Sequence, residues 1–294
     1  MNKKFVLALA LTAAACGAFA QANDTLAKAK AAGKVVMGVR ESSAPLSYTT
    51  GSGQFTGYHV ELCQRILKSV LPGVPVEYVP VTSANRIPLV QNGTVDIECG
   101  STTNNATRQK DVSFALTTYV TEVRTAVKAD SKINSVADLN NKNVATTTGT
   151  TSVALLRKNK RAQSIQFKEV YGKDHADSFL LLESGRADAF VMDDNILAGL
   201  IASSQNPKAY KIVGETLNVE PIAIMVRKDD PNFKKAVDDY IRGAIKAGEI
   251  DLLYKKWFMT PIPPKNTSVN LPMGKILTGL LKSPSDAPAE EFNK

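Results

Sequence analysis

"TTYVTEVRTAVKAD", Thr117 to Asp130, and "NVEPIAIMVRK", Asn218 to Lys228, decide how this chain folds. Both are β-rich stretches in a sequence that otherwise alternates short strands with helix-period segments. The alternation runs twice, over roughly 34–115 and roughly 143–214. Such alternation implies parallel sheets and hence an α/β protein. If both β-rich segments cross from one set to the other, the first lobe holds both chain ends and the second is an insertion. Domain interfaces of this kind are where ligand clefts form.

Within the first set, Val35 to Val39 reads as a strand ending in the loop "RESSAPLSY", and "VELCQRILKSV" (60–70) has helical spacing. Val76 to Val81 alternates as a strand does, "SANRIPLVQNG" is a turn and short helix closed by Gly93, and "TVDIECG" is a strand. In the second set, strands are expected at "NVATTTG", "IQFKEV" and "ADAFVMDD". Helices are expected at "TSVALLRKN", "DHADSFLLLESG" and "NILAGLIASS". A last strand at 222–227 and helices at 231–247 and 249–258 follow. The tail after Pro261, rich in Pro, Ser and Lys, reads as an irregular wrap over the first lobe.

The chain opens with Lys3 and Lys4, an apolar stretch from Phe5 to Ala15, and Ala18-Phe19-Ala20. That is a secretory signal peptide, residues 1–20, cleaved after Ala20. Lipid attachment at Cys16 is the rival reading, and Ala13-Ala14-Ala15 lacks the Leu such sites usually carry. Other apolar runs fall short of the roughly 18–20 residues a span needs. The mature chain is therefore expected to be exported to the periplasm. Formal net charge is +8, and removing Lys3 and Lys4 leaves +6, since residues 1–20 hold no acids. The basic residues are scattered rather than clustered, which argues against a nucleic-acid partner.

After cleavage two cysteines remain, Cys63 and Cys99. Export favours a disulfide, and two separately buried thiols stay open as the alternative. With two histidines, His59 and His175, there is no zinc-type spacing, and no metal or cofactor is expected.

"ECGSTTNNATRQK", Glu98 to Lys110, sets short hydroxyl and amide side chains directly after a strand and ends near one arginine. Ligands bind at the C-terminal ends of strands in open α/β sheets. Ser101, Thr102 and Thr103 offer hydroxyls, and Arg108 offers a planar fork that matches a carboxylate. "TTTGTTS", Thr146 to Ser152, mirrors it in the second set, where a helix N-terminus attracts anions. A single Ser/Thr-rich turn is more often a helix cap. The two together point to a small anionic group held between facing loops. The phosphate-loop pattern is absent around Gly149, so nucleotide binding is unsupported.

From "GKVVMGVRESSAPLSY" to "YKKWFMTPIPPKN" the chain resembles the family-3 periplasmic solute-binding proteins of amino-acid importers. "QNGTVDIECGSTTNNATRQK" and "KDHADSFLLLESGRADAFVMDD" narrow the resemblance to the glutamate/aspartate-binding branch. It implies a two-lobed type II periplasmic-binding-protein fold, with two crossover hinge strands and the ligand cleft between lobes. Residues 21–121 and 222–294 would form lobe 1, and 122–221 lobe 2. It also implies capture of L-glutamate or L-aspartate by a monomer, and delivery to a membrane ABC permease.

By the same resemblance Arg108 would hold the α-carboxylate, with Ser101, Thr103, Thr150 and Thr151 adding donors. Asp193 would pair with the α-ammonium, its neighbour Asp194 being the easy misassignment. Arg40, Ser83, Arg86 and His175 would meet the side-chain carboxylate. One departure is His59 in "GYHVEL", where the family usually has an acid; it reads as a structural or surface change. The arginine count agrees with an acidic ligand. Arg40 and Arg86 added to Arg108 leave excess positive charge in one cleft, which a second ligand carboxylate would balance. A carboxylate near His175 would raise its pKa.

Two other readings compete. A dehydratase of a prephenate-like acid on the same scaffold would need an acid or base, and only His175 and Glu98 offer themselves. The aromatic content of 6% supplies few rings for an aromatic substrate. A chemosensory input domain would use the same binding physics with a receptor partner. A binder of a neutral amino acid or a small dicarboxylate also fits the scaffold.

Overall fold

A computed structural model describes residues 24–293 apart from Ser52. The signal peptide and Cys16 lie outside the described residues. Among the described residues no helix is long and apolar enough to cross a membrane.

Two five-stranded sheets organise the chain. The first runs β5 (Val76–Pro80), β1 (Val35–Val39), β6 (Ile97–Glu98), β13 (Met225–Arg227), β7 (Val112–Phe114). The second runs β10 (Lys168–Gly172), β9 (Asn143–Thr147), β11 (Ala189–Asp193), β8 (Tyr119–Lys128), β12 (Tyr210–Ile222). Each has a parallel trio in the same order, flanked by antiparallel strands. The repeated βα rhythm of the sequence thus produces the same topology twice, although the sheets are mixed rather than wholly parallel. A small third sheet joins β2 (Ser42–Ser43), β3 (Ser47–Thr49) and β4 (Phe55–Thr56).

The chain passes between the sheets twice, and the passages are paired. Tyr119 at the start of β8 lies opposite Ile222 at the end of β12. The 222–227 strand expected from the sequence is in fact two pieces. Ile222 ends β12, and β13 begins at Met225 in the other sheet. Ala115 N donates to Ile224 O at 2.9 Å across this passage, so the two crossings brace each other. Tyr119 also stacks on Phe258 with ring centroids 4.7 Å apart, which anchors the crossing to the first core.

Helices cover the sheets. On the first lie α1 (Thr25–Ala32), α2 (Tyr58–Val70), α3 (Arg86–Gln91), α7 (Pro231–Lys246) and α8 (Glu249–Phe258); on the second, α4 (Thr151–Ala162), α5 (His175–Glu183) and α6 (Asp194–Ser203). α2 buries Val60, Leu62, Cys63, Ile66 and Leu67 from one face, as its helical spacing requires. Cys63 of that face is bonded to Cys99, with Cα atoms 6.3 Å apart. The bond clamps α2 to the strand end that precedes the polar loop.

The tail departs from the irregular wrap expected. It contains α9 (Lys275–Lys282), whose Leu277 enters the first core. It also reaches beyond lobe 1, since Asn293 exchanges hydrogen bonds with the backbone of Val219 on β12.

Candidate functional site

Six strand ends converge. Arg40 follows β1, Ser83 follows β5, and Ser101 and Thr103 follow β6. Thr150 and Thr151 follow β9 and open α4, His175 follows β10 and opens α5, and Asp193 ends β11. Arg86 opens α3, and Arg108 begins a short 3-10 turn. The C-terminal ends of strands collect these groups because the following helices start there, leaving N–H groups and loop side chains free to face outward.

Closure brings the two lobes into contact. A Cβ at Gly149 would lie 2.7 Å from the Cα of Ala84, and one at Gly199 would lie 2.5 Å from Ala44 O. Neither spacing leaves room for a methyl group, so these two glycines set how closely the lobes approach.

Arg40 is fully buried. Its Nη1 donates to Ser101 Oγ at 3.2 Å, and its Nη2 donates to Ser83 Oγ at 3.0 Å and to Asp174 Oδ1 at 2.6 Å. Asp174 lies on the opposite lobe and also accepts from Ser42 Oγ at 2.8 Å. Its carboxyl is held below the usual range: burial opposes this, but Arg40, His175 and hydrogen bonds outweigh burial. Asp174 also caps α5 in a capping box with Asp177. Asp174 thus performs two tasks.

His175 is neutral in the closed cleft. Its pKa is pushed down to about 3, by burial first and by Arg40 second, and Asp174 fails to reverse this. Nε2 lies 3.4 Å from Arg40 Nη2 and Nδ1 lies 3.0 Å from Thr147 Oγ1. A neutral ring facing an arginine offers its Nε2 lone pair, not a proton.

Of the three arginines in the cleft, Arg86 has the fewest hydrogen-bond partners among the described residues. It is 2% exposed, and its Nε and Nη1 are buried with no hydrogen-bond partner. Burial, then Arg108 and Arg40, push its pKa down to about 9. Arg108 donates through Nη1 to Thr103 O at 2.9 Å and through Nη2 to Gly149 O on the other lobe at 3.3 Å. Asp193 is buried at 4% exposure, and its pKa is raised well above the carboxylate range by burial, Glu220 and Asp194. Asp194 is turned elsewhere: it accepts from Thr121 Oγ1 and from Asn195 N, both at 2.7 Å.

The hydroxyls differ from the donors expected. Thr103 Oγ1 and Thr151 Oγ1 both donate to Glu220 Oε2, at 2.6 and 2.8 Å. Ser101 Oγ donates to Ser43 Oγ at 3.1 Å, and Thr150 Oγ1 turns back to Thr147 O at 2.7 Å. Ser83 Oγ accepts from Arg40, which leaves its own proton to be donated.

The charge count is also corrected. Glu98, Asp174, Asp193 and Glu220 stand around Arg40, Arg86 and Arg108, so the cleft holds no simple excess of positive charge. What distinguishes Arg86 is position: Glu98 and Asp193 act on it only through space, and its Nε and Nη1 have no hydrogen-bond partner. Sequence reasoning missed Asp174 and Glu220 as parts of the site. An acid inside the apolar crossover "NVEPIAIMV" was the signal for Glu220.

His59 is structural rather than a surface change. It is fully buried, with Nδ1 2.6 Å from Gly100 O and Nε2 2.9 Å from Thr118 Oγ1. Burial pushes its pKa down to about 4.

Two α/β lobes, two paired crossing strands and a closed polar cleft between strand ends define the type II binding-protein fold. Residues 35–260 match the bacterial extracellular solute-binding proteins, family 3, and the chain belongs to that family. It is 43% identical over 289 residues to the glutamate/aspartate import solute-binding protein of Escherichia coli K12, covering 96% of each chain. It is 42% identical over 296 residues to the L-glutamate/L-aspartate-binding protein of Pseudomonas aeruginosa, covering 98% of each. Among solved structures it resembles the ancestral amino acid-binding protein AncCDT-1, a precursor of cyclohexadienyl dehydratase. The TM-score is 0.70 at 31% identity, over 80% of this chain and 99% of that one. The chain is a solute-binding protein and not an enzyme, which sets aside the dehydratase reading.

Proposed function

We propose that this protein captures L-glutamate or L-aspartate in the periplasm and presents it, as a monomer, to the membrane permease of an ABC importer. Lobe 1 is taken as 21–121 and 222–294, lobe 2 as 122–221, with closure about the two crossing strands. The observation that carries the ligand class is Arg86. A buried guanidinium with two unpartnered nitrogens is expensive unless an anion arrives. A side-chain carboxylate supplies that anion, with Ser83 donating a further hydrogen bond. Arg40 has a further role beyond the one expected: it holds Ser83, Ser101 and Asp174 in place, while its unpartnered Nε is left for the ligand. Arg108 takes the α-carboxylate together with N–H groups at the start of α4. Asp193 takes the α-ammonium, whose charge offsets the burial that holds up its pKa. The relatives that bind glutamate and aspartate by name support the same reading.

The test is a thermal-shift and calorimetric panel on ligand-stripped protein: glutamate, aspartate, glutamine, asparagine, arginine, histidine and succinate. Saturation at 100 times Kd stabilises the native state by about 2.7 kcal/mol. Shifts confined to glutamate and aspartate, abolished in Arg108→Ala, are expected. A shift with glutamine alone would overturn the acidic-ligand assignment, and one with succinate alone would overturn the ammonium site.

A further inference from the structure

Glu220 is fully buried on β12, beside the point where that strand leaves for the other sheet. Its neighbourhood is stitched to the polar loop after β6. Asn104 N donates to Pro221 O at 2.9 Å and Ala223 N donates to Thr102 O at 3.2 Å, on either side of Thr103. One carboxylate oxygen, Oε2, then accepts Thr103 Oγ1 from lobe 1 and Thr151 Oγ1 from lobe 2. The other, Oε1, accepts from Asn218 Nδ2 at 3.0 Å.

A hydroxyl has one proton and two lone pairs, and a carboxylate has no proton to give. Both threonine protons are therefore committed to Glu220, and both hydroxyls present only lone pairs to whatever lies on their other side. The Thr103 carbonyl and the Gly149 carbonyl beside this pair are both turned to the Arg108 guanidinium. Hydroxyl lone pairs suit a cation, and a carboxylate at this place would meet them with repulsion. Asp193 is a second acidic group within electrostatic reach of Glu220, and an arriving ammonium would favour its charged form.

We propose that Glu220 is a positioning residue for the ligand ammonium: it fixes Thr103 and Thr151 as acceptors and places a negative charge behind them. Because a single oxygen serves both lobes, the acceptor pair is complete only when the lobes are closed. The ammonium is thereby read by closure itself, and a ligand lacking it forfeits that part of the closing energy. This rests on the amino-acid reading above.

The experiment compares glutamate with glutarate, which has both carboxylates and no ammonium, by calorimetry on wild type, Glu220→Gln and Glu220→Met. Glu220→Gln keeps size and an acceptor oxygen while removing the charge, and Glu220→Met removes both. Glutamate affinity is expected to fall about tenfold in the first and about a hundredfold in the second, with glutarate changing by less than about threefold in each. Parallel losses for both ligands would make Glu220 a hinge anchor only and overturn the proposal, as would no change for glutamate. If Glu220→Met does not fold, the glutamate-to-glutarate ratio in Glu220→Gln decides alone. A wild-type protein that binds no amino acid would overturn the proposed function, and this inference with it, before any variant is made.

Discussion

Arg40 Nη2 donates to Asp174 Oδ1 at 2.6 Å, and the two residues belong to opposite lobes. The arginine is completely buried and the acid nearly so, with side-chain exposures of 0% and 15%. Only closure creates this pair. Asp174→Asn keeps a side chain that caps α5 but removes the charge. Ligand affinity is expected to fall by about tenfold to a hundredfold, because the closed state then buries an uncompensated Arg40. Titration calorimetry on wild type and variant checks this, and equal affinities would show that the pair contributes nothing to closure.

Arg86 gives a test with two opposite signs. Arg86→Met removes a cation whose Nε and Nη1 lack partners in the closed cleft, so the ligand-free protein is expected to be at least as stable as wild type. The same change is expected to weaken glutamate by at least about a hundredfold and glutamine by less than about tenfold. Melting curves without ligand and titrations with each amino acid read the two effects separately. Loss of stability in the ligand-free variant would mean that Arg86 supports the fold.

Gly199 lies in α6 against Ala44 of the other lobe. Alanine favours a helix interior by about 0.8–1 kcal/mol over glycine, so Gly199→Ala is expected to leave the open protein as stable or more so. The added methyl group meets Ala44 O at 2.5 Å and opposes closure. Affinity for every ligand therefore drops together, and small-angle scattering of the saturated protein reports a more open shape. An unchanged affinity would show that the lobes close without this contact.

The two histidines contribute to the acid behaviour. His59 titrates at about 4 and His175 at about 3 in the native state, against 6.5 for a free side chain. Between those values the unfolded chain binds more protons, so stability is full above about pH 6.5 and falls as pH drops toward 4. Asp193 has the opposite sign: its native pKa is raised, so the native state holds a proton that the unfolded chain has released, and stability falls as pH rises through that range. His59→Asn keeps a donor for Gly100 O and removes one of the two depressed groups. The loss of stability between pH 7 and 4 is expected to shrink by roughly half in this variant. Denaturant titrations at each pH measure it, and an unchanged slope would assign the acid sensitivity to other groups.

Much of this was legible because it is local. The strand ends at Glu98 and Thr147, the helix starts at Thr151 and His175, and the polar runs between them follow from periodicity and turn chemistry within about ten residues. The short helix at 86–91 also follows from local pattern. The second task of Asp174 and the place of Glu220 did not, because each depends on a partner more than a hundred residues away.

By itself, then, the sequence determined two α/β units, the crossings between them and the residue types gathered at their strand ends, since these depend on neighbours along the chain. It left the Cys63–Cys99 pairing open until the two residues were seen together. Only the tertiary structure decided which charge meets which. It committed Arg40 to Asp174 and left Arg86 Nε and Nη1 without a hydrogen-bond partner. It turned the protons of Thr103 and Thr151 toward Glu220, and kept His175 neutral despite the acid beside it. The reason is burial: once water is excluded, the nearest charge and the remaining hydrogen-bond partners set the state of each group, and nearness across a closed cleft is not encoded in any short stretch of chain.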